Sequence, residues 1–282
     1  MARGSDDSYS AFSLATAAEE IVRSSPGASV EWQGASLTTH FQPLFSVRRR
    51  QCSGFEALVR AVDDEGALPW EQLHERTDKV ARVLLDWTCR AMHLRNYARV
   101  DPGDLTLSIN VHPEAAVRDA GRAREFDGLI RYYGLAPKRL CVEIQPSACS
   151  SEAKLRDAVE GYRALGVAIA LGDFGTGCSN FDRVMALRPD LVKIDRALLA
   201  GTVGGERARR MLPGMVALLH EARTKVAVEG LETRPEAMLA LEAKADFLQG
   251  FFFGDPQAAL DPGGAAAQKL GALLDAARLA AA

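Results

Sequence analysis

Apolar and polar residues alternate along this chain in two periods. Strand-like runs occur at Leu37 to Val47, Gly54 to Val59, Leu105 to Val111, Leu140 to Ile144, Val167 to Leu171, Leu191 to Ile194, Val226 to Val228 and Ala245 to Leu248. Between them, apolar faces of helical period appear at Trp70 to Arg99, Arg124 to Tyr133, Glu152 to Leu165, Glu206 to Ala222 and Pro235 to Ala243. Eight strands alternating with helices predict an α/β fold, a TIM (β/α)8 barrel. One connection modifies it: only Arg48-Arg49-Arg50-Gln51 separates the first two strands. Four residues cannot make a parallel crossover, so one antiparallel strand is expected near the N-terminus. An Ala/Leu-rich helix near Gly264 to Leu279 is expected on the barrel exterior. The expected organisation is an N-terminal extension over 1–35, a barrel domain over 36–262 and a C-terminal helix over 263–282. The extension carries an amphipathic segment around Phe12 to Val22 and breaks at Pro26-Gly27.

Charged residues interrupt the apolar pattern at one end of the strands. In Glu56-Ala57-Leu58-Val59-Arg60, alternation puts Glu56, Leu58 and Arg60 on one face. Polar groups recur near the C-terminal ends of the other strands at Asn110, Glu143, Asp173, Lys193 with Asp195, Glu229 and Gln249. Burying one charge alone costs several kcal/mol, so such a series makes sense where the groups converge on a ligand or metal. In α/β barrels that end of the strands carries the active site. Glu56, Asn110, Glu143 and Asp173 offer only oxygen, which suits magnesium, manganese or calcium. Two such ions can clamp the attacking and leaving oxygens of a phosphodiester. Lys193 and Glu229 are then candidates to orient or deprotonate water, and Arg60 to hold a phosphate oxygen.

Composition narrows the partners. The chain has 282 residues, 48% of them hydrophobic, enough for a large core. A net charge of -3 gives no reason to expect a DNA or RNA duplex. No run approaches the roughly 20 apolar residues of a membrane span, and the N-terminus lacks a signal-peptide pattern, so a cytoplasmic protein is expected. Five scattered cysteines without metal spacing read as reduced packing residues.

Several motifs fall in order along the barrel: His40-Phe41-Gln42-Pro43-Leu44, Gly54-Phe55-Glu56-Ala57-Leu58-Val59-Arg60, Ser108-Ile109-Asn110, Glu143-Ile144, Asp173-Phe174-Gly175-Thr176-Gly177, Lys193-Ile194-Asp195, Glu229-Gly230-Leu231-Glu232-Thr233 and Gln249-Gly250-Phe251. Through them the chain, from about Leu37 to Pro256, resembles the EAL domain, a bacterial family that hydrolyses cyclic di-GMP to linear pGpG. The resemblance implies metal ligation by Glu56, Asn110, Glu143 and Asp173, and places Lys193, Asp195 and Glu229 around the catalytic water. It places Gln42, Leu58, Arg60, Asp173, Gln249 and Pro256 along the dinucleotide. The partners it implies are cyclic di-GMP and a protein partner or homodimer; magnesium or manganese is expected if the site is active.

Two positions depart from the family pattern. Gly172 stands where active relatives carry an aspartate that bridges two metals, so the expectation there is of little or no bound metal. Pro146 stands where they commonly carry a glutamate, and its ring supplies neither a side-chain acceptor nor a backbone N–H. The preferred expectation is a domain that binds cyclic di-GMP with little or no hydrolysis. The alternatives are an active magnesium- or manganese-dependent phosphodiesterase and a protein-interaction module that no longer binds nucleotide. Outside the motifs, Arg48 to Arg50 read as a solvated turn, Phe251 to Phe253 as split between core and pocket wall, and Cys178 as a local filler. His112 reads either as a group at the pocket mouth or as a hydrogen-bonded surface histidine.

Overall fold

The strands expected from the alternation all form, and they close on themselves. The computed structural model describes residues 14–25, 27–78, 81–100, 103–178, 180–200 and 206–280. Its strands are β1 Val30–Trp32, β2 Ala35–Ser46, β3 Gln51–Asp63, β4 Gly66–Leu68, β5 Thr106–Val111, β6 Leu140–Ile144, β7 Ala168–Phe174, β8 Leu191–Ile194, β9 Lys225–Val228 and β10 Phe247–Leu248. The helices are α1 Leu14–Ser24, α2 Trp70–Arg76, α3 Ala81–Val100, α4 Pro113–Arg118, α5 Ala123–Tyr132, α6 Glu152–Ala164, α7 Phe181–Leu187, α8 Ala197–Ala200, α9 Glu206–Glu221, α10 Arg234–Glu242 and α11 Ala265–Ala280.

The sheet runs β1-β2-β10-β9-β8-β7-β6-β5-β3-β4, and a further pairing of β2 with β3 closes eight of these strands into a barrel. β2 is antiparallel to both its barrel neighbours, while the other barrel pairs are parallel. The short turn after Ser46 produces this, and Arg48, Arg49 and Arg50 in it are exposed. β1 and β4 extend the sheet beyond the barrel by pairing with β2 and β3. β2 alternates buried and half-buried positions along most of its length, as a strand with one core face should.

One expected element is corrected. The helix predicted over Trp70 to Arg99 is two helices, because Thr77 adopts extended backbone after α2 and its Oγ1 donates to Leu73 O at 2.8 Å. The α2 apolar face therefore does not continue into α3. Side-chain caps start the shorter helices: Asn180 Oδ1 accepts from Arg183 N at α7, and Thr233 with Glu236 makes a reciprocal capping box at α10. In the N-terminal segment α1 packs on α3, and Arg95 donates to the carbonyls of Val22 and Ser29 at 2.6 and 3.0 Å. Phe12, at the start of the expected amphipathic segment, lies outside the described residues. Among the described residues no helix is long and apolar enough to cross a membrane. All five cysteines are free, and Cys52, Cys89 and Cys141 are buried.

Most of the core lies between the barrel and its helices. A second, small cluster of Cys141, Ala170, Leu191 and Ala227 is separate from it. These four residues sit on the faces of β6 to β9 that carry Glu143, Gly172, Lys193 and Glu229 two positions later. Small apolar side chains thus floor the interior, and the polar layer stands on them.

Candidate active site

Lys193 is the centre of the polar layer. β8 delivers it into the barrel, where its side chain is buried and its ammonium reaches three carboxylates. Nζ lies 2.5 Å from Glu56 Oε2, 3.0 Å from Glu143 Oε2 and 2.8 Å from Glu229 Oε2. Glu143 Oε1 also accepts from it at 3.1 Å. Around this core, Asn110 Nδ2 donates to Glu56 Oε1 at 2.8 Å, and Gln249 Nε2 donates to Glu56 Oε2 at 2.9 Å and to Gln42 Oε1 at 3.3 Å. Five strands, β2, β3, β5, β6 and β8, therefore contribute to one hydrogen-bonded network through Gln42, Glu56, Asn110, Glu143 and Lys193, joined by Glu229 just after β9 and Gln249 just after β10.

Electrostatics divide the carboxylates. With all four groups ionised, three carboxylates face one ammonium and the cluster carries a net charge of -2. Burial, then the charge of Glu56, drives Glu143 well above the usual carboxylate range; burial likewise raises Glu229 against the pull of Lys193. Burial also works against ionised Glu56, but Lys193 and the hydrogen bonds from Lys193, Asn110 and Gln249 outweigh it and leave Glu56 below that range. Burial opposes the Lys193 charge too, and the three glutamates overcome it, holding the lysine well above its ordinary value. Glu143 is the member of the cluster most ready to accept a proton.

Position 172 explains where Glu143 rests. A Cβ built on Gly172 would stand 2.5 Å from Glu143 Oε1 and 3.2 Å from its Cγ. Real Cβ atoms do not approach that closely, so the Glu143 carboxylate takes space that any larger residue at 172 would claim. Asp173 follows at a register irregularity between β7 and β8, with φ of 45°. That left-handed conformation is uncommon for a residue with a side chain. The Asp173 amide donates to Glu229 Oε1 at 3.2 Å, and burial followed by the charge of Asp195 raises its carboxyl. Oxygens of Asp173, Asp195 and Glu229 lie within 4.8 Å of one another, as do those of Glu56, Glu143 and Glu229. Asp195 Oδ1 also accepts from Ala197 N at 2.5 Å.

The remaining expected residues form a rim. Arg60 is exposed, its Nη1 donates to Val59 O at 3.1 Å, and among the described residues it has no carboxylate partner. Leu58 is half-buried and pairs with His40, whose Nδ1 bonds to Pro256 O at 3.1 Å. Gln42 Nε2 donates to Gly254 O at 3.5 Å. Leu58, Arg60 and Pro256 thus lie outside the Lys193 network. Phe251 is 55% exposed while Phe253 is buried at 2%. A cleft of about 410 Å³ lined by Arg48, Arg50, Leu241, Leu274 and Arg278 lies beside the β2–β3 turn, at the far end of the barrel, and shares no residue with the site.

Pro146 sits in a loop held by its neighbours. Its carbonyl accepts from Cys178 N at 2.7 Å, joining the loop after β6 to the glycine-rich loop after β7. Buried Arg183 secures the same loop through Gln145 O at 3.3 Å, Ser147 O at 3.0 Å and Glu152 Oε1 at 2.7 Å. Neither α7 nor its Arg183 is among the elements and residues expected from the sequence. Asn180 followed by apolar residues at 181, 184 and 187 was the available signal.

The chain has counterparts among known proteins. The EAL domain pattern matches residues 29–256. The bifunctional diguanylate cyclase/cyclic di-GMP phosphodiesterase MucR of Pseudomonas aeruginosa is 27% identical over 232 residues, covering 79% of this chain and 33% of its own length. The chain spans well under half the length of the curated relatives it matches, 32% and 28% in two others and 40% in a third. Among solved structures, the Bacillus subtilis YkuI protein, with an EAL domain in complex with cyclic di-GMP and calcium, superimposes with a TM-score of 0.76 at 21% identity, covering 87% of this chain and 62% of that one. A standalone EAL protein from Vibrio cholerae O395 in its cyclic di-GMP-bound form gives 0.71 at 23% identity, covering 80% and 94%. At these identities the structural likeness speaks for the barrel, and the sequence pattern across most of the chain speaks for descent. This chain belongs to the EAL domain family.

Proposed function

We propose that the chain binds cyclic di-GMP at the C-terminal mouth of the barrel with little or no hydrolysis, and passes the ligand state to a protein partner or a second copy. In this reading residues 36–262 are the ligand-binding barrel, 1–35 its N-terminal extension and 263–282 its C-terminal helix region. The observation that carries the reading is the closure of Glu143 over Gly172. The oxygen-only donor set suits magnesium or manganese in kind. A bridged pair of ions does not fit, because position 172 supplies no carboxylate and Glu143 has turned both its oxygens to Lys193. That missing carboxylate supports binding over two-metal attack on a phosphodiester.

The groups assigned to the nucleotide support a binding role. Exposed Arg60 is available for a phosphate oxygen, and the amides of Gln42 and Gln249 bond to each other beside Glu56. Leu58 and Pro256 supply apolar surface beside them. In the binding role Lys193, Glu229 and Asp195 hold the floor of the site together instead of acting on water.

A second reading, slow hydrolysis with magnesium or manganese, is favoured by the two carboxylate sets that share Glu229. Titration calorimetry with cyclic di-GMP in chelator and in calcium, with product chromatography on the same samples, separates the two. Saturable binding in chelator without pGpG is the expected result. Release of pGpG in excess manganese, abolished by Glu56→Ala, establishes the second reading. Absence of saturation under every condition overturns both and leaves a protein-interaction module.

A further inference from the structure

The geometry points to a ring stack of Trp70, His74 and His112 at the barrel rim as the platform for one purine base of the bound dinucleotide. This rests on the cyclic di-GMP reading above and adds residues that no motif contains. The His74 and His112 rings stack with centroids 5.5 Å apart and planes 27° apart, and Trp70 lies 5.9 Å from His74 at 37°. All three side chains are half-buried, so the rings are fixed yet reachable.

Their place in the fold puts them beside the site. Ile109 pairs with Ala57, so His112, which follows β5 two residues after Asn110, leaves the barrel at the height of Arg60. β4 folds back on β3 with Leu68 opposite Ala61, which starts α2 and Trp70 at the same height. Across β2 and β3, on the β10 side, stands the exposed Phe251 ring. A ligand whose phosphate lies at Arg60 and whose two bases splay apart has an aromatic surface on either side.

His112 is also set up as a donor. It caps α4 by accepting the Glu114 amide on Nδ1 at 3.2 Å, so a neutral ring carries its hydrogen on Nε2. Among the described residues that Nε2 has no partner. That N–H lies in the ring plane, so it serves a ligand oxygen beside the stack, such as a phosphate or ribose oxygen, while the ring faces serve the base. The backbone of His112 is held in turn by Asp86, whose Oδ2 accepts from its N–H at 3.0 Å. The ring is thus positioned before a ligand arrives.

The test compares cyclic di-GMP with cyclic di-UMP, which has the same backbone and smaller bases, against the full chain and a double variant, His74→Ala with His112→Asn. Asparagine keeps the α4 cap while removing the ring. Removing a stacking surface should weaken cyclic di-GMP binding by roughly 10-fold or more. Cyclic di-UMP binding should change much less, so the preference between the two narrows. Melting temperature measured alongside reports any loss of fold, and Trp70→Leu repeats the test from the other end of the stack. Variants that bind cyclic di-GMP within about twofold of the unmodified chain, or lose both ligands equally at unchanged melting temperature, overturn the platform alone. An unmodified chain that binds neither ligand overturns the cyclic di-GMP reading and the platform with it.

Discussion

Replacing Gly172 by aspartate tests the site at its most constrained point. The new Cβ would meet Glu143 Oε1 at 2.5 Å, and the atom that must yield is the end of a flexible side chain. Glu143 therefore rotates, giving up its bonds of 3.0 and 3.1 Å to Lys193. Charge-assisted hydrogen bonds of this kind contribute about 1.5 to 3 kcal/mol. A fourth carboxylate also enters a cluster in which three already share one ammonium, so the loss in chelator should be about 3 kcal/mol. For a chain of this size that lowers the melting temperature by about 6 °C. A divalent ion that binds only the folded variant restores about 2.7 kcal/mol at 100 times its dissociation constant. The assay is thermal melting of both proteins in chelator and in manganese, with pGpG measured in the manganese samples. The variant should melt lower in chelator and recover in manganese, while the unmodified protein shifts by less than about 1 °C. Equal melting of the two proteins in chelator, or an equal manganese shift in both, refutes this account of position 172.

Two further outcomes follow from buried groups outside the metal-like cluster. Arg183→Ala removes two bonds to backbone carbonyls of the loop around Pro146 and one to Glu152 at the start of α6, and should cost about 2 to 3 kcal/mol; limited proteolysis should show new cleavage within 145–151, and an uncut loop would count against the bracing role of Arg183. His93 is buried against Thr39 Oγ1 at 2.8 Å, and burial lowers its pKa from 6.5 to about 3. The unfolded chain therefore binds the extra proton between those values, and the stability contributed by neutral His93 falls by about 2 kcal/mol from pH 7 to pH 5. His93→Gln should flatten that part of a denaturant-midpoint profile; an unchanged slope would show that other groups set it.

Much of the architecture was legible because strand alternation is a local property. The turn at Arg48 to Gln51 required the antiparallel pair, and the polar residues two positions beyond Cys141, Leu191 and Ala227 were bound to share the interior face with them. Period two also brought Glu56, Asn110, Glu143, Lys193 and Glu229 to the same end of the barrel, which is why their convergence was readable from spacing alone. Boundaries were less legible. The break at Thr77 depends on one side-chain hydrogen bond, and β1 and β4 exist only because a longer neighbour offers them a free edge.

The sequence by itself determined which residues could meet: the barrel, the face of each strand and the absence of a carboxylate at position 172. Only the tertiary structure decided how they meet. Lys193 reaches Glu56 across 137 positions and Glu143 across 50, and Glu143 settles against Gly172 through a choice of side-chain rotamer. The contacts of Arg183 and the meeting of Trp70 and His74 with His112 join loops and helix ends from different βα units, which periodicity within one element does not record. Periodicity records the direction in which a side chain leaves its own strand or helix, while contact depends on closing the barrel and filling its mouth without overlap.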